Sequence, residues 1–214
     1  AEWQLSLVNT GLPEGWSFNP VEPIGDPFTL APSIPQSIDF VANVPASALG
    51  GDAGVAVLHL ALASDYSINT TLNVPLEVFR TRGLDIVGPE GINISSGQGR
   101  PGGPASAWFM VENLGNAEEQ TTSISWTAPS WGGSPTIQDS DGQTLFSVTL
   151  APGEQRELSA VLDVPVGTAL GASSDSTMTM CMGSGEDALC EELTVVFRAV
   201  ALAASPTHVR TLPD

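Results

Sequence analysis

The side chains able to do acid–base, nucleophilic or metal chemistry are few. The sequence holds two histidines, His59 and His208, two cysteines, Cys181 and Cys190, and 24 carboxylates against six arginines and no lysine. A Ser/His/Asp or Cys/His arrangement needs an imidazole held against a nucleophile and oriented by a third group. His59 falls in the apolar run AGVAVLHLALA (53–63), where a hydrogen-bonded structural histidine is expected; His208 falls in the C-terminal stretch, where it is expected to be solvated. Among 24 carboxylates some are always close together, so proximity alone does not indicate glycosidase chemistry. No catalytic residue, cofactor or metal is assigned, and the chain reads as a non-enzyme.

Asp139-Ser140-Asp141-Gly142 has the D-x-D-G form that opens a calcium loop, with Asp139 and Asp141 as the would-be ligands. Calcium takes six to eight oxygens, and Gln143-Thr144-Leu145-Phe146 returns at once to a strand, so an acidic turn is the stronger reading. The glycine-rich stretch 95–104 (SSGQGRPGGP) reads as a loop and lacks the Lys-Ser/Thr and helix of a phosphate cradle. Two asparagine glycosylation sequons are present, Asn69-Thr70-Thr71 at a predicted hairpin tip and Asn93-Ile94-Ser95 in a predicted exposed loop. Trp16, Trp126 and Trp131 could make a stacking platform for glycans, but their recurrence and alternation are those of core residues. Cys181 and Cys190 flank Gly183-Ser184-Gly185-Glu186-Asp187 in a predicted hairpin. A disulfide there would point to an oxidising compartment; two buried thiols are the alternative.

These residues must be held by strands. Glycine (22) and proline (17) are abundant and no window shows clean helical periodicity, which is the signature of a β-sandwich or barrel. The net charge of −18 excludes a phosphate-binding surface, whether nucleic acid or anionic membrane, and favours solubility, with a salt-adapted source as the sharper alternative. No apolar run approaches the length of a membrane helix, so no membrane insertion is expected. The opening Ala1-Glu2-Trp3 has neither the basic start nor the apolar core of a signal peptide and reads as the start of a processed piece.

One strand pattern is written twice. Thr29-Leu30-Ala31-Pro32 returns as Thr149-Leu150-Ala151-Pro152, and Val44-Pro45 returns as Val164-Pro165, both 120 residues on. Leu58, Leu60 and Leu62 then fall opposite Met178, Met180 and Met182, Val78-Phe79-Arg80 aligns with Val196-Phe197-Arg198, and Ala61 and Leu72 stand at the cysteine positions. Trp16 matches Trp131, and the strand Trp3 to Leu7 matches Thr122 to Trp126. Internal repetition of this kind means two copies of one supersecondary unit. The expected organisation is residues 1–81, residues 82–201, and a tail, 202–214, that is linker or donor segment. The stretch from Gly83 to Gln120, including the predicted strand ASAWFMVE (105–112), has no match in the first copy. The first unit is therefore expected to lack its opening strands, leaving an exposed edge and an open core. Either upstream chain or a strand from another molecule would fill them. Pro75 places its strand at an edge or a bulge, and Asn113-Leu114-Gly115-Asn116 predicts a turn with positive φ.

Taken together, Asn113-Leu114-Gly115-Asn116, Trp131, Leu150-Ala151-Pro152-Gly153-Glu154 and Val164-Pro165 resemble the α-galactosidase-associated and cell-adhesion-related (CARDB) β-sandwich families of bacterial and archaeal surface proteins. The first copy departs from that pattern, with Ser33 for the Gly and Ile34 for the Glu. The resemblance implies an all-β chain of two tandem immunoglobulin-like sandwiches and carries over no catalytic residue. It also implies an extracellular or cell-surface structural or adhesive module of a larger protein, whose partners are other copies or neighbouring domains of that protein. Two alternatives stand beside it: a filament subunit assembling by strand donation, and a carbohydrate-binding accessory module of an enzyme.

Overall fold

The computed structural model describes residues 1–23, 27–31, 34–185 and 188–201, leaving aside the side chains of Asn9 and Thr10. The tail 202–214 with His208, Pro32 and Ser33 of the first proline turn, and Glu186-Asp187 of the cysteine hairpin lie outside the described residues. Among the described residues every regular element is a strand, and the chain divides into two compact units, Ala1–Arg80 and Thr81–Asp214.

Unit 1 holds β1 (Glu2–Gly11), β2 (Ser17–Pro20), β3 (Phe28–Thr29), β4 (Phe40–Asn43), β5 (Ala53–Leu62) and β6 (Asp65–Glu77). They form a four-stranded sheet in the order β3-β1-β5-β6 and a two-stranded sheet, β2-β4. Leu5 pairs with Leu60 and Leu7 with Leu58, so the side-chain alternation of β1 and β5 puts leucines on one shared face. β6 lies at the edge, where Pro75, opposite Val55, removes no ladder bond from a neighbour. Trp16 and Phe18 are buried, and Phe18 stacks on Phe40 across β2 and β4 with ring centroids 5.0 Å apart.

Unit 2 holds β7 (Leu84–Val87), β8 (Ile94–Gly99), β9 (Pro104–Asn113), β10 (Glu119–Trp126), β11 (Thr136–Gln138), β12 (Thr144–Leu145), β13 (Thr149–Leu150), β14 (Gln155–Asp163), β15 (Ser173–Met182) and β16 (Leu189–Ala199). One layer runs β12-β11-β14-β9-β7 and the other β8-β16-β15-β10-β13; the two meet where Gln98 of β8 pairs with Ser106 of β9. Strand ladders from the two layers enclose one continuous core built from Ile86, Phe109, Val111, Leu158, Met178, Met180, Leu193 and Phe197, among others, all essentially inaccessible to solvent. This is an immunoglobulin-like β-sandwich, the first strand being divided into β7 on one sheet and β8 on the other.

The stretch 95–104, expected as a loop, is largely strand. Residues 94–99 form β8, parallel to β16 through six residue pairs from Ile94–Thr194 to Gly99–Ala199. Its glycines serve close approach, not flexibility: a Cβ on Gly97 would stand 2.5 Å from the Ser106 carbonyl oxygen, and one on Gly99 2.6 Å from that of Pro104. Thr81 and Arg82, on either side of the expected boundary between the units, are both tied into unit 2. The Thr81 amide donates to Asn116 Oδ1 (2.8 Å) and the Arg82 Nε to Glu119 Oε1 (3.1 Å).

The repeat is structural as well as sequential. The turns after the two Val-Pro pairs carry matching bonds, Ala48 N–H to Pro45 O and Thr168 N–H to Pro165 O, and Gly51 and Gly171 both take positive φ (92° and 86°). In the last strand, however, the sequence alignment is three residues out of register. Leu58 pairs with Leu72 as Met178 pairs with Leu193, and Gly54 pairs with Leu76 as Ser174 pairs with Phe197. Leu76, not Phe79, therefore holds the position of Phe197, and Asn69, opposite Ala61, holds that of Cys190. The Val-Phe-Arg match is coincidental, and Phe79 is 84% exposed.

Candidate functional site

The residues singled out for chemistry are built into the frame. Cys181 and Cys190 form the disulfide, directly opposite each other on β15 and β16 with Cα atoms 4.1 Å apart. Their neighbours Met180 and Met182 face the core, so the bridge lies on the outer face of the sheet. Asp139 Oδ1 accepts from the Asp141 amide (3.0 Å) and the Gln143 amide (2.8 Å), an Asx-type turn that uses the carboxylate locally. Among the described residues no three His, Cys, Asp or Glu side chains come together as a metal set. His59 lies on the outward side of β5, paired with Ser6 and Thr71, while its neighbours Leu58 and Leu60 point inward.

The first sequon is not at a hairpin tip. The chain reverses at Ala63-Ser64, and Asn69 lies inside β6 opposite Ala61, its side-chain amide donating to the Tyr66 carbonyl at 2.9 Å. Asn93 precedes β8 and is exposed, but Ser95 of its sequon is buried and donates its hydroxyl to the Trp108 carbonyl (2.6 Å). Trp126 and Trp131 pack against the core of unit 2. Trp126 also borders a cleft of about 280 Å³ with Ile124, Pro135, Leu145 and the exposed Phe146.

Two features escaped sequence reasoning. Asn113 is fully buried, donating to the Ala117 carbonyl (2.8 Å) and the Leu150 carbonyl (3.0 Å) and accepting from the Gly115 amide (2.9 Å). The turn after β9 is thus made by a side chain. Gly115 does not take positive φ there; it is required because a Cβ would stand 2.6 Å from the Thr81 carbonyl oxygen. Glu154 closes the Leu-Ala-Pro-Gly-Glu turn by accepting from the Ala151 amide (2.8 Å) and from Arg156 (2.7 Å), and these bonds hold its carboxyl below its usual pKa of 4.5.

Among the described residues unit 1 has fewer strands than unit 2. In unit 2, β14 is flanked by β11 and β9, and β16 by β15 and β8. Their counterparts in unit 1, β4 and β6, pair among the described residues only with β2 and β5 respectively. The inward side chains record the difference position by position. Leu158, Ala160, Leu162 and Val164 are buried, whereas Ile38 and Phe40 are half-buried, Ala42 is exposed and Val44 is 42% exposed. Leu193 is fully buried, whereas Leu72 is 59% exposed although it points to the same side as Leu58. Each of β4 and β6 thus has one edge without a strand partner among the described residues, and the apolar side chains beside those edges are half-buried or exposed.

No family model matches the chain, and no curated protein matches it. Among solved structures, the PapD-like domain 7 of human CEP192 superposes on 57% of this chain and 87% of its own, with 13% identity and a TM-score of 0.38. The CooA pilin subunit of enterotoxigenic Escherichia coli covers 54% of this chain and 97% of its own, with 10% identity and a TM-score of 0.35. The periplasmic chaperone SfaE covers 58% and 60%, with 11% identity and a TM-score of 0.35.

Proposed function

We propose that the chain is a non-enzymatic, extracellular or cell-surface structural module of a larger protein, of the CARDB-like kind, serving as a spacer that bears tension and holding neighbouring domains or copies of the same protein as its partners. The observation that carries this reading is the parallel pairing of β8 with β16. These lie near the entry and exit of unit 2, and because they run parallel, a pull along the chain drags them in opposite directions along their own axes. All the ladder bonds between them are then loaded together in shear, whereas antiparallel terminal strands would peel one bond at a time. The exposed disulfide across β15 and β16 supports an oxidising location.

Force spectroscopy on the chain held at its two ends tests it. Unit 2 is expected to yield a distinct high-force event. Reduction should lengthen its extension by roughly 30 Å, the reach of the nine residue steps that the Cys181–Cys190 bridge locks. Extension of unit 2 at no more force than a peeled hairpin requires would sink the tension-bearing role.

A further inference from the structure

We propose that the cleft beside Trp126 in unit 2 is a self-association site: it takes Phe146 from a second copy of this chain, while its own Phe146 enters the cleft of that copy. This rests on the reading that copies of the protein are among its partners, and it names the surface. The cleft opens where two strands lack neighbours. Beyond Gln120 the side of β10 away from β15 pairs with no strand among the described residues, and β12 pairs there only with β11. Ile124 and Trp126 of β10, Pro135, and Leu145 of β12 line the opening. Phe146 stands at its rim, 88% exposed, so its own ring does not fill the space.

The occupant follows from size, charge and symmetry. An apolar cavity of about 150 Å³ is enough to hold a benzene ring, and this cleft, at about 280 Å³, has room for a phenylalanine side chain. Among the described residues no charged or amide side chain lines it, so nothing there would orient a sugar or a charged peptide. Two such surfaces, by contrast, can meet without burying an unpaired charge. Knob and hole sit on one patch, and a patch carrying both halves of a contact is self-complementary about a two-fold axis. In a chain of net charge −18 this neutral patch gives like-charged copies a place to touch. The repeat does not impose an aromatic ring here, because the residue 120 positions earlier is Asp26.

Sedimentation equilibrium of the intact chain, at up to about 1 mM, tests the proposal. The contact is smaller than a standard interface, so a weak monomer–dimer equilibrium is expected. Because the copies repel, dimerisation should tighten about tenfold or more between about 0.01 M and about 1 M salt, whereas contact through opposite charges would loosen. Phe146→Ala and Thr144→Glu, both at exposed positions, should each weaken it at least about tenfold and leave the urea midpoint of unit 2 unchanged. Mixed together, the two variants should associate more tightly than either alone, because Phe146 of the Thr144→Glu chain can still enter the intact cleft of the Phe146→Ala chain. Any of four results would overturn the proposal. The chain could stay monomeric in molar salt, even where its tryptophan fluorescence then responds to added cellohexaose; the dimer could loosen in salt; it could keep its affinity in Phe146→Ala; or the mixture could associate no more tightly than its parts. The force signature of unit 2 is read on single chains, so a failure here leaves the spacer reading standing.

Discussion

At the scale of single residues, polar side chains decide where strands stop. Asn113 ends β9 by satisfying two carbonyls and one amide that the ladder has abandoned, and it does so fully buried. Replacing it with alanine strands all three groups away from water, and Asn113→Ala should destabilise unit 2 by about 3 kcal/mol in urea denaturation. Glu154 offers a pH readout. Its folded pKa lies below 4.5, so its contribution is complete above that value and is lost as pH falls through the lower, folded one. The melting temperature of the wild-type protein should therefore fall relative to Glu154→Gln as pH drops below about 4.5, and the two should run parallel above it. Comparing the two proteins at each pH cancels the relief of charge repulsion that acid brings to the whole chain.

At the scale of elements, the sequence was legible where side-chain alternation meets a buried face and illegible where backbone meets backbone. Leu58, Leu60 and Leu62 on one copy and Met178, Met180 and Met182 on the other showed their strands through period-two spacing. The edge position of β6 was readable from Pro75. β8 was not, because Ser95, Gly97 and Gly99 carry no apolar signal; what fixes them is the proximity of β9, a long-range fact absent from local composition. The register of β6 was missed for a related reason. Residues 66–68 bulge between the pairs Ala61–Asn69 and Leu62–Asp65, and a three-residue bulge leaves no mark on a tripeptide match. That unit 1 has fewer strands than unit 2 was foreseen from the missing match to Gly83–Gln120. Gly97→Val tests the close approach directly. Its side chain would be forced into the Ser106 carbonyl, and unit 2 should lose about 2–3 kcal/mol, measured as a shift in its urea midpoint with unit 1 unaffected.

At the scale of the whole molecule, the two copies share a plan and differ in how much of it is enclosed. Unit 2 shuts Phe197, Leu193 and three methionines away from water, while unit 1 leaves their equivalents, Leu76, Leu72, Leu58, Leu60 and Leu62, half-buried or exposed. Burial of apolar surface is the main favourable term in folding, at about 25 cal/mol per Å², so the copy that buries less must be the less stable. Equilibrium unfolding should accordingly occur in two steps, unit 1 leaving at lower urea, each step with the shallow slope of a small unit and not the steep one of a single large domain. Trp3 and Trp16 report the first step, and Trp108, Trp126 and Trp131 the second, so fluorescence of Trp3→Phe/Trp16→Phe should retain only the later transition. With a net charge of −18 and no lysine, both midpoints should rise between low and molar salt as repulsion is screened over a Debye length that shrinks from about 30 to about 3 Å. One cooperative transition, with all five tryptophans moving together, would mean that the copies are not independent folding units.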